Sequence, residues 1–175
     1  MSHGIRIGHG IGHAIGHGIG HGIGITRRHW LAGTAAVLAG CGDKETWPEG
    51  MRRIRWDRDT CARCSMVISD PRFAAQVRGG PRDETFSFDD IGCAVFFGVE
   101  KGAQHPWLRE PSEPAARWWV AEAAGEGGRW LDARTAHYVA GSRSPMGYDF
   151  AAFAAAQPGS VGFAAMAAKV REAGR

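Results

Sequence analysis

The chain has 175 residues, enough for one domain or two small ones. Of its 21 Lys and Arg, three (Arg6, Arg27 and Arg28) precede Cys41 with no acid among them, so 18 remain beyond that point to meet 18 Asp and Glu. A neutral body offers no basic face for nucleic acid, and its residues show no phosphate-cradling loop, nucleophile–base pair or water-activating metal site, so the expectation is a binding protein and not an enzyme.

The first 25 residues are low in complexity, with His9, His13, His17 and His21 spaced by Gly and Ile. A His-rich tract can bind metal, but glycine at nearly every second position opposes a helix that would align the imidazoles. Arg27 and Arg28 then form a basic n-region before an apolar stretch over residues 30–40. A permanent membrane span needs about 20 apolar residues, so this one is too short. It ends in L-A-G-C, small residues running into Cys41, as at the cleavage site of an export signal. The pattern resembles a bacterial lipobox, and T-R-R-H-W-L resembles a twin-arginine signal. Residues 1–40 are therefore expected to be a leader that is removed with its histidines. Cys41 is expected to be the lipidated first residue, anchoring the protein to a membrane on the periplasmic side of the envelope. An uncleaved end with a chance cysteine is the alternative. Gly42 gives no signal for inner or outer membrane.

Residues 41–50 read as a polar tether, and residues 51–56 alternate loosely enough for a first strand. A strand is expected to start at 66–68, turn at Asp70-Pro71 and return over 73–77 as a hairpin. Thr85, Phe86 and Phe88 predict a short strand. Ser87 with Asp90 three residues on predicts an N-cap for a helix over 89–98, which carries Ile91, Cys93 and Val95. Residues 102–116 form a Pro-rich linker. Strands return at 117–122, 130–133 and 136–139, where His137 reads as a packed or solvent-facing side chain. The loop G-S-R-S-P-M-G presents Met146, residues 148–153 re-enter a sheet, and 161–172 has helical spacing with Phe163, Met166 and Val170 on one stripe. Met166 reads as core. This gives a first half over 51–101 and a second over 117–175, with the strands near 73–77 and 118–120 expected in separate small sheets.

The chemistry concentrates in D-T-C-A-R-C-S-M-V-I, where Cys61, Cys64 and Met66 bring three sulfurs into six residues. The C-x-x-C spacing alone leaves zinc, a redox pair and copper open. Adding a thioether favours Cu(I), because soft ligands select a soft ion. A redox pair is expected at a helix start, where the dipole lowers a thiol pKa, and here the β-like S-M-V-I follows. A structural zinc knuckle needs a fourth good ligand, from Cys93, His105 or His137. Cys93 reads first as a small buried hydrophobe and second as an additional metal ligand. Met146, between Pro and Gly in a turn, belongs to no apolar stripe and is expected to swing in as a fourth sulfur; plugging a gap between the halves is its other reading.

The lipobox, C-x-x-C-x-M-x-I, F-D-D-I-G-C, W-L-D-A-R-T-A-H-Y-V and S-P-M-G, in this order from Cys41 to about Phe153, resemble the NosL family. Ser65 departs from the family's usual glycine, the tail A-A-A-Q-P-G-S-V-G-F departs from its usual continuous helix, and the His–Gly leader has no counterpart. The resemblance implies an α+β fold of two small related halves, made of short antiparallel strands with packed helices. It also implies a lipid-anchored metallochaperone that holds Cu(I) and passes it on for the copper centres of nitrous oxide reductase. The partners implied are that enzyme and its copper-centre assembly and transport machinery.

Overall fold

β1 (Ala75–Gly79) is the strand on which the rest is assembled, because its sequence is buried on both faces. A strand of this kind needs ladder partners on both edges, since each buried backbone N–H and C=O must be paired. β2 (Glu84–Phe88) supplies one edge through a tight hairpin, in which Gly80 (φ +77°) and Asp83 (φ +53°) take left-handed backbone. Gly80 is also required by space, for a Cβ there would lie 2.3 Å from the Trp107 indole nitrogen. The other edge is taken by β3 (Arg117–Ala121), with Ala75 opposite Val120 and Val77 opposite Trp118. β4 (Trp130–Asp132) completes an antiparallel sheet of order β2-β1-β3-β4, and β5 (His137–Ala140) pairs with β6 (Phe150–Phe153) in a second one.

These features belong to a computed structural model that describes residues 46–109 and 116–174. The leader, Cys41 and the first half of the tether lie outside the described residues. Two helices join the sheets, α1 (Ile91–Lys101) and α2 (Phe163–Ala173), with a 3-10 turn at Pro106–Leu108. The fold is α+β with short antiparallel strands and packed helices, as the resemblance implied. The strands near 73–77 and 118–120, expected in separate sheets, instead pair directly, because β1 is buried on both faces and a two-stranded ladder would leave the backbone of one buried edge unpaired.

Three local expectations also change. Residues 51–56 form no strand; the fully buried Gln76 takes a strand's place there. Its Oε1 accepts from Arg52 N–H at 2.7 Å, and its Nε2 donates to Arg52 O at 2.8 Å. Residues 66–68 form only an isolated bridge, Thr60 to Val67, so no hairpin joins them to 73–77. Asp90, and not Ser87, caps α1, accepting from Gly92 N–H at 2.8 Å, while Ser87 lies within β2 with its hydroxyl on Gln76. An N-cap of this type stabilises a helix by about 1 kcal/mol.

α1 packs its Phe97 between Phe86 (4.9 Å) and Phe88 (5.3 Å), neighbours on one face of β2. α2 buries Met166, Ala167 and Val170 and ends at Gly174 in left-handed backbone. Three indoles, Trp47, Trp56 and Trp130, meet with centroids 5.3–6.5 Å apart, which docks the last residues of the tether onto the body. No helix among the described residues is long and apolar enough to cross a membrane.

Candidate metal centre

The segment from Arg55 to Ile68 folds back on itself through its own backbone. Cys61 N–H donates to Met66 O (2.8 Å), Ser65 N–H to Cys61 O (2.9 Å) and Ile68 N–H to Asp59 O (2.9 Å). Ser65 closes the turn at φ +61°, a left-handed conformation natural to glycine. Asp59 braces the entry, its buried carboxylate accepting from the Arg55 backbone (3.1 Å) and side chain (2.8 and 2.9 Å). Ala62 N–H donates to Ser87 O (2.9 Å), which ties the knuckle to β2 and so to the start of α1.

This tie brings three cysteines together. The sulfurs of Cys61, Cys64 and Cys93 all lie within 4.8 Å of one another, and all three are free thiols. It is the one such group of His, Cys, Asp or Glu among the described residues. Cys61 and Cys93 are buried and Cys64 is half-buried, so access to the sulfurs is through Cys64. Cys93, read first as packing, thus stands beside the C-x-x-C pair. Met66 is 53 % exposed at the tip of the knuckle, and Met146 is partly buried against the core. His105 instead pairs with Glu84 at 3.2 Å, and neither it nor His137 belongs to the thiol group.

The electrostatics favour an anionic sulfur. The Cys93 thiol donates to Cys61, and the N–H groups of Cys64, Asp89 and Arg63 also point at that sulfur. Against the opposing effect of burial, these hold the Cys61 thiol down to about 5. Cys93 is pushed far above the ordinary thiol range, first by the proton it shares with Cys61 and then by burial. Burial raises Cys64, opposed by the Met66 N–H. Burial also lifts Asp89 to about 6, with the charge on Cys61 adding to it. A metal ion sharing these sulfurs displaces the thiol protons, so binding and proton release are coupled.

Residues that offer no ligand of their own support this cluster. Arg63, an unspecified position of the C-x-x-C, reaches Glu100 (3.0 Å), the Tyr148 hydroxyl (2.6 Å), the face of Phe96 (4.6 Å) and the Cys93 side chain. Ser144 and Asp90 join the Met146 loop to α1, for the Ser144 hydroxyl and the Met146 N–H both donate to the Asp90 carboxylate. The only signal in the sequence was polarity at positions the fold buries: Asp89, Asp90 and Ser144.

A search of curated proteins found no match. Among solved structures, the copper chaperone NosL from Shewanella denitrificans matches with 14 % identity and a TM-score of 0.42, covering 71 % of this chain and 89 % of that one. The NosL family model matches residues 55–166, which takes in the knuckle, α1, both sheets and the start of α2. The chain belongs to the NosL family.

Proposed function

We propose that this protein is a Cu(I) metallochaperone whose cargo sits among Cys61, Cys64 and Cys93, with Met66 and Met146 as accessory sulfurs. The observation that carries the reading is the approach of three thiols within 4.8 Å, with no fourth His, Cys or carboxylate in the group among the described residues. Structural zinc is held by four closed ligands, whereas soft sulfurs in small number suit Cu(I). The burial gradient supports transfer. Two sulfurs are buried and shield the ion, while the half-buried Cys64 lies open to an incoming ligand. Met66, exposed beside it, offers a neutral thioether that can collect or release the ion without a further thiolate. Following the family resemblance, the protein is anchored through a lipidated Cys41 at the periplasmic side of the envelope. It serves the copper centres of nitrous oxide reductase through their assembly machinery.

A thiol–disulfide exchange role has one observation in its favour, the depressed Cys61 thiol. Against it, Cys61 as a residue is 2 % exposed, and the C-x-x-C sits in a turn and not at a helix start. A nucleophile for exchange must be reachable.

The test is Cu(I) titration of the reduced full chain against a chromogenic Cu(I) chelator, repeated with Zn(II). One Cu(I) per chain, retained in excess zinc, is the expected result. Cys61→Ser, Cys64→Ser and Cys93→Ser should each lose orders of magnitude in affinity, and Met66→Ala and Met146→Ala much less. Wild-type affinity in all three serine variants would overturn the site. Preference for zinc would overturn the cargo. The anchor is tested separately, by whether Cys41→Ala releases the protein from membranes.

A further inference from the structure

On the side of α1 away from the thiols lies a cleft of about 450 Å3, formed with α2, the 3-10 turn and β3. At 100° per residue, Val95 and Val99 fall on the helix face opposite Cys93. With Phe163 and Ala167 of α2 they make an apolar wall. Val99 is 58 % exposed. It is one of three exposed large hydrophobic residues among those described, and the other two, Met66 and Val67, are on the knuckle. An apolar side chain left open within a concave wall differs from a lone surface valine, because the cleft can cover a ligand on several sides.

The polar side chains of this cleft are all of one kind. Arg109 and Arg171 line it and no carboxylate does. Both arginines are exposed, and neither side chain has a hydrogen-bond or ion-pair partner among the described residues. Trp118, 3 % exposed, forms part of the wall, and its indole N–H has no acceptor. The polar side chains here are therefore all donors, and two of them are forked cations suited to a carboxylate. The volume is in the range of pockets that enclose small organic ligands.

We propose that this cleft binds an amphipathic carboxylate, a medium-chain fatty acid anion. Arg109 and Arg171 hold the head, and Val95, Val99 and Phe163 cover the tail. A purely apolar ligand would leave both guanidinium groups unused, and an inorganic anion would leave the apolar wall wet. The proposal does not depend on the metal, since no residue of the cleft belongs to the thiol group.

The experiment is calorimetric titration of the full chain with decanoate, beside decanol and decylammonium at the same concentrations. Saturable binding of one decanoate is expected, with decanol and decylammonium at least about tenfold weaker, because only the carboxylate meets both arginines. The R109Q/R171Q double variant should weaken decanoate about tenfold or more, and Ala167→Trp should fill the cleft and abolish binding. Cu(I) retention and the circular dichroism melt report that both variants remain folded. Absence of saturable decanoate binding to the wild type would overturn the proposal. So would equal binding of decanol, or unchanged decanoate affinity in R109Q/R171Q.

Discussion

The ring of Tyr148 occupies the space that a side chain on Gly92 would need: a Cβ built there would lie 2.2 Å from two of its ring carbons. Gly92 immediately precedes Cys93 in the first turn of α1, and Tyr148 follows Met146 by two residues. The glycine of I-G-C is thus what lets the Met146 loop lie against the thiol-bearing helix. Asp90 holds the same loop by accepting from Ser144 and from the Met146 N–H. Gly92→Ala is expected to force the ring away and to destabilise the protein by about 1–3 kcal/mol, the usual range for overpacking. In urea unfolding, Gly92→Ala combined with Tyr148→Ala should cost less than the two single changes added together. Full additivity would show that the contact does not bind loop to helix.

Ser65 carries a different kind of strain. At φ +61° its Cβ meets the backbone unfavourably, and glycine would relieve this while adding freedom to the unfolded chain. The two effects oppose each other, so Ser65→Gly is expected to stabilise by less than about 1 kcal/mol. Its N–H still donates to Cys61 O, so Cu(I) affinity should stay unchanged in the same chelator competition. A marked loss of affinity would mean that the Ser65 hydroxyl contributes to the centre.

Period-2 and period-3.6 patterns made the sheet strands from β2 onward and both helices legible, because Phe88, Trp118, Val95, Met166 and Val170 bury as their spacing requires. The pairing of β1 with β3 was not legible. It rests on long-range register, and 39 to 45 residues separate the partners. Residues 51–56 misled for a related reason, since the groups that satisfy their backbone belong to Gln76, a side chain more than twenty positions away. At the site, Cys61 and Cys64 announced themselves by spacing. Cys93 did not, because a single cysteine on a helix looks the same whether it packs or binds, and only the Ala62–Ser87 tie shows which sulfurs it faces.

Asp59 links acid sensitivity to the knuckle. Burial alone would raise its carboxyl, but the Arg55 backbone and side chain, with Arg52 farther off, outweigh that and hold it below the usual value. A carboxyl depressed on folding contributes stability that is present above its unfolded pKa and is lost as pH falls through the folded one. Its share of stability is therefore constant at neutral pH and should begin to fall away only below about pH 4. Asp59→Asn, which removes the charge but keeps the shape, is expected to cost about 1–2 kcal/mol at pH 7. That cost should shrink toward acid in urea midpoints measured from pH 7 to 3. A cost independent of pH would point to geometry alone.

Arg63 is the cation nearest the question of charge at the centre. Three thiolates around one Cu(I) leave a net charge of −2, and burying it is unfavourable unless something offsets it. The guanidinium is mostly buried, touches the Cys93 side chain, and is fixed by Glu100, Tyr148 and the face of Phe96. Arg63→Gln is expected to lower Cu(I) affinity by about 10- to 100-fold, the range typical of groups that support metal ligands without touching the metal. Arg63→Lys should recover part of this, since it keeps the charge but not the fork that spans Glu100 and Tyr148. Stability should change little through the Glu100 pair, which is half exposed and worth about 0–1 kcal/mol. The measurement is chelator competition at low and high ionic strength. A deficit from a screened surface charge would fade in salt, whereas one from this enclosed guanidinium should persist. Equal affinity of Arg63→Gln and wild type would leave the arginine as packing for Phe96 and Tyr148, and would show that it does not offset the charge of the centre.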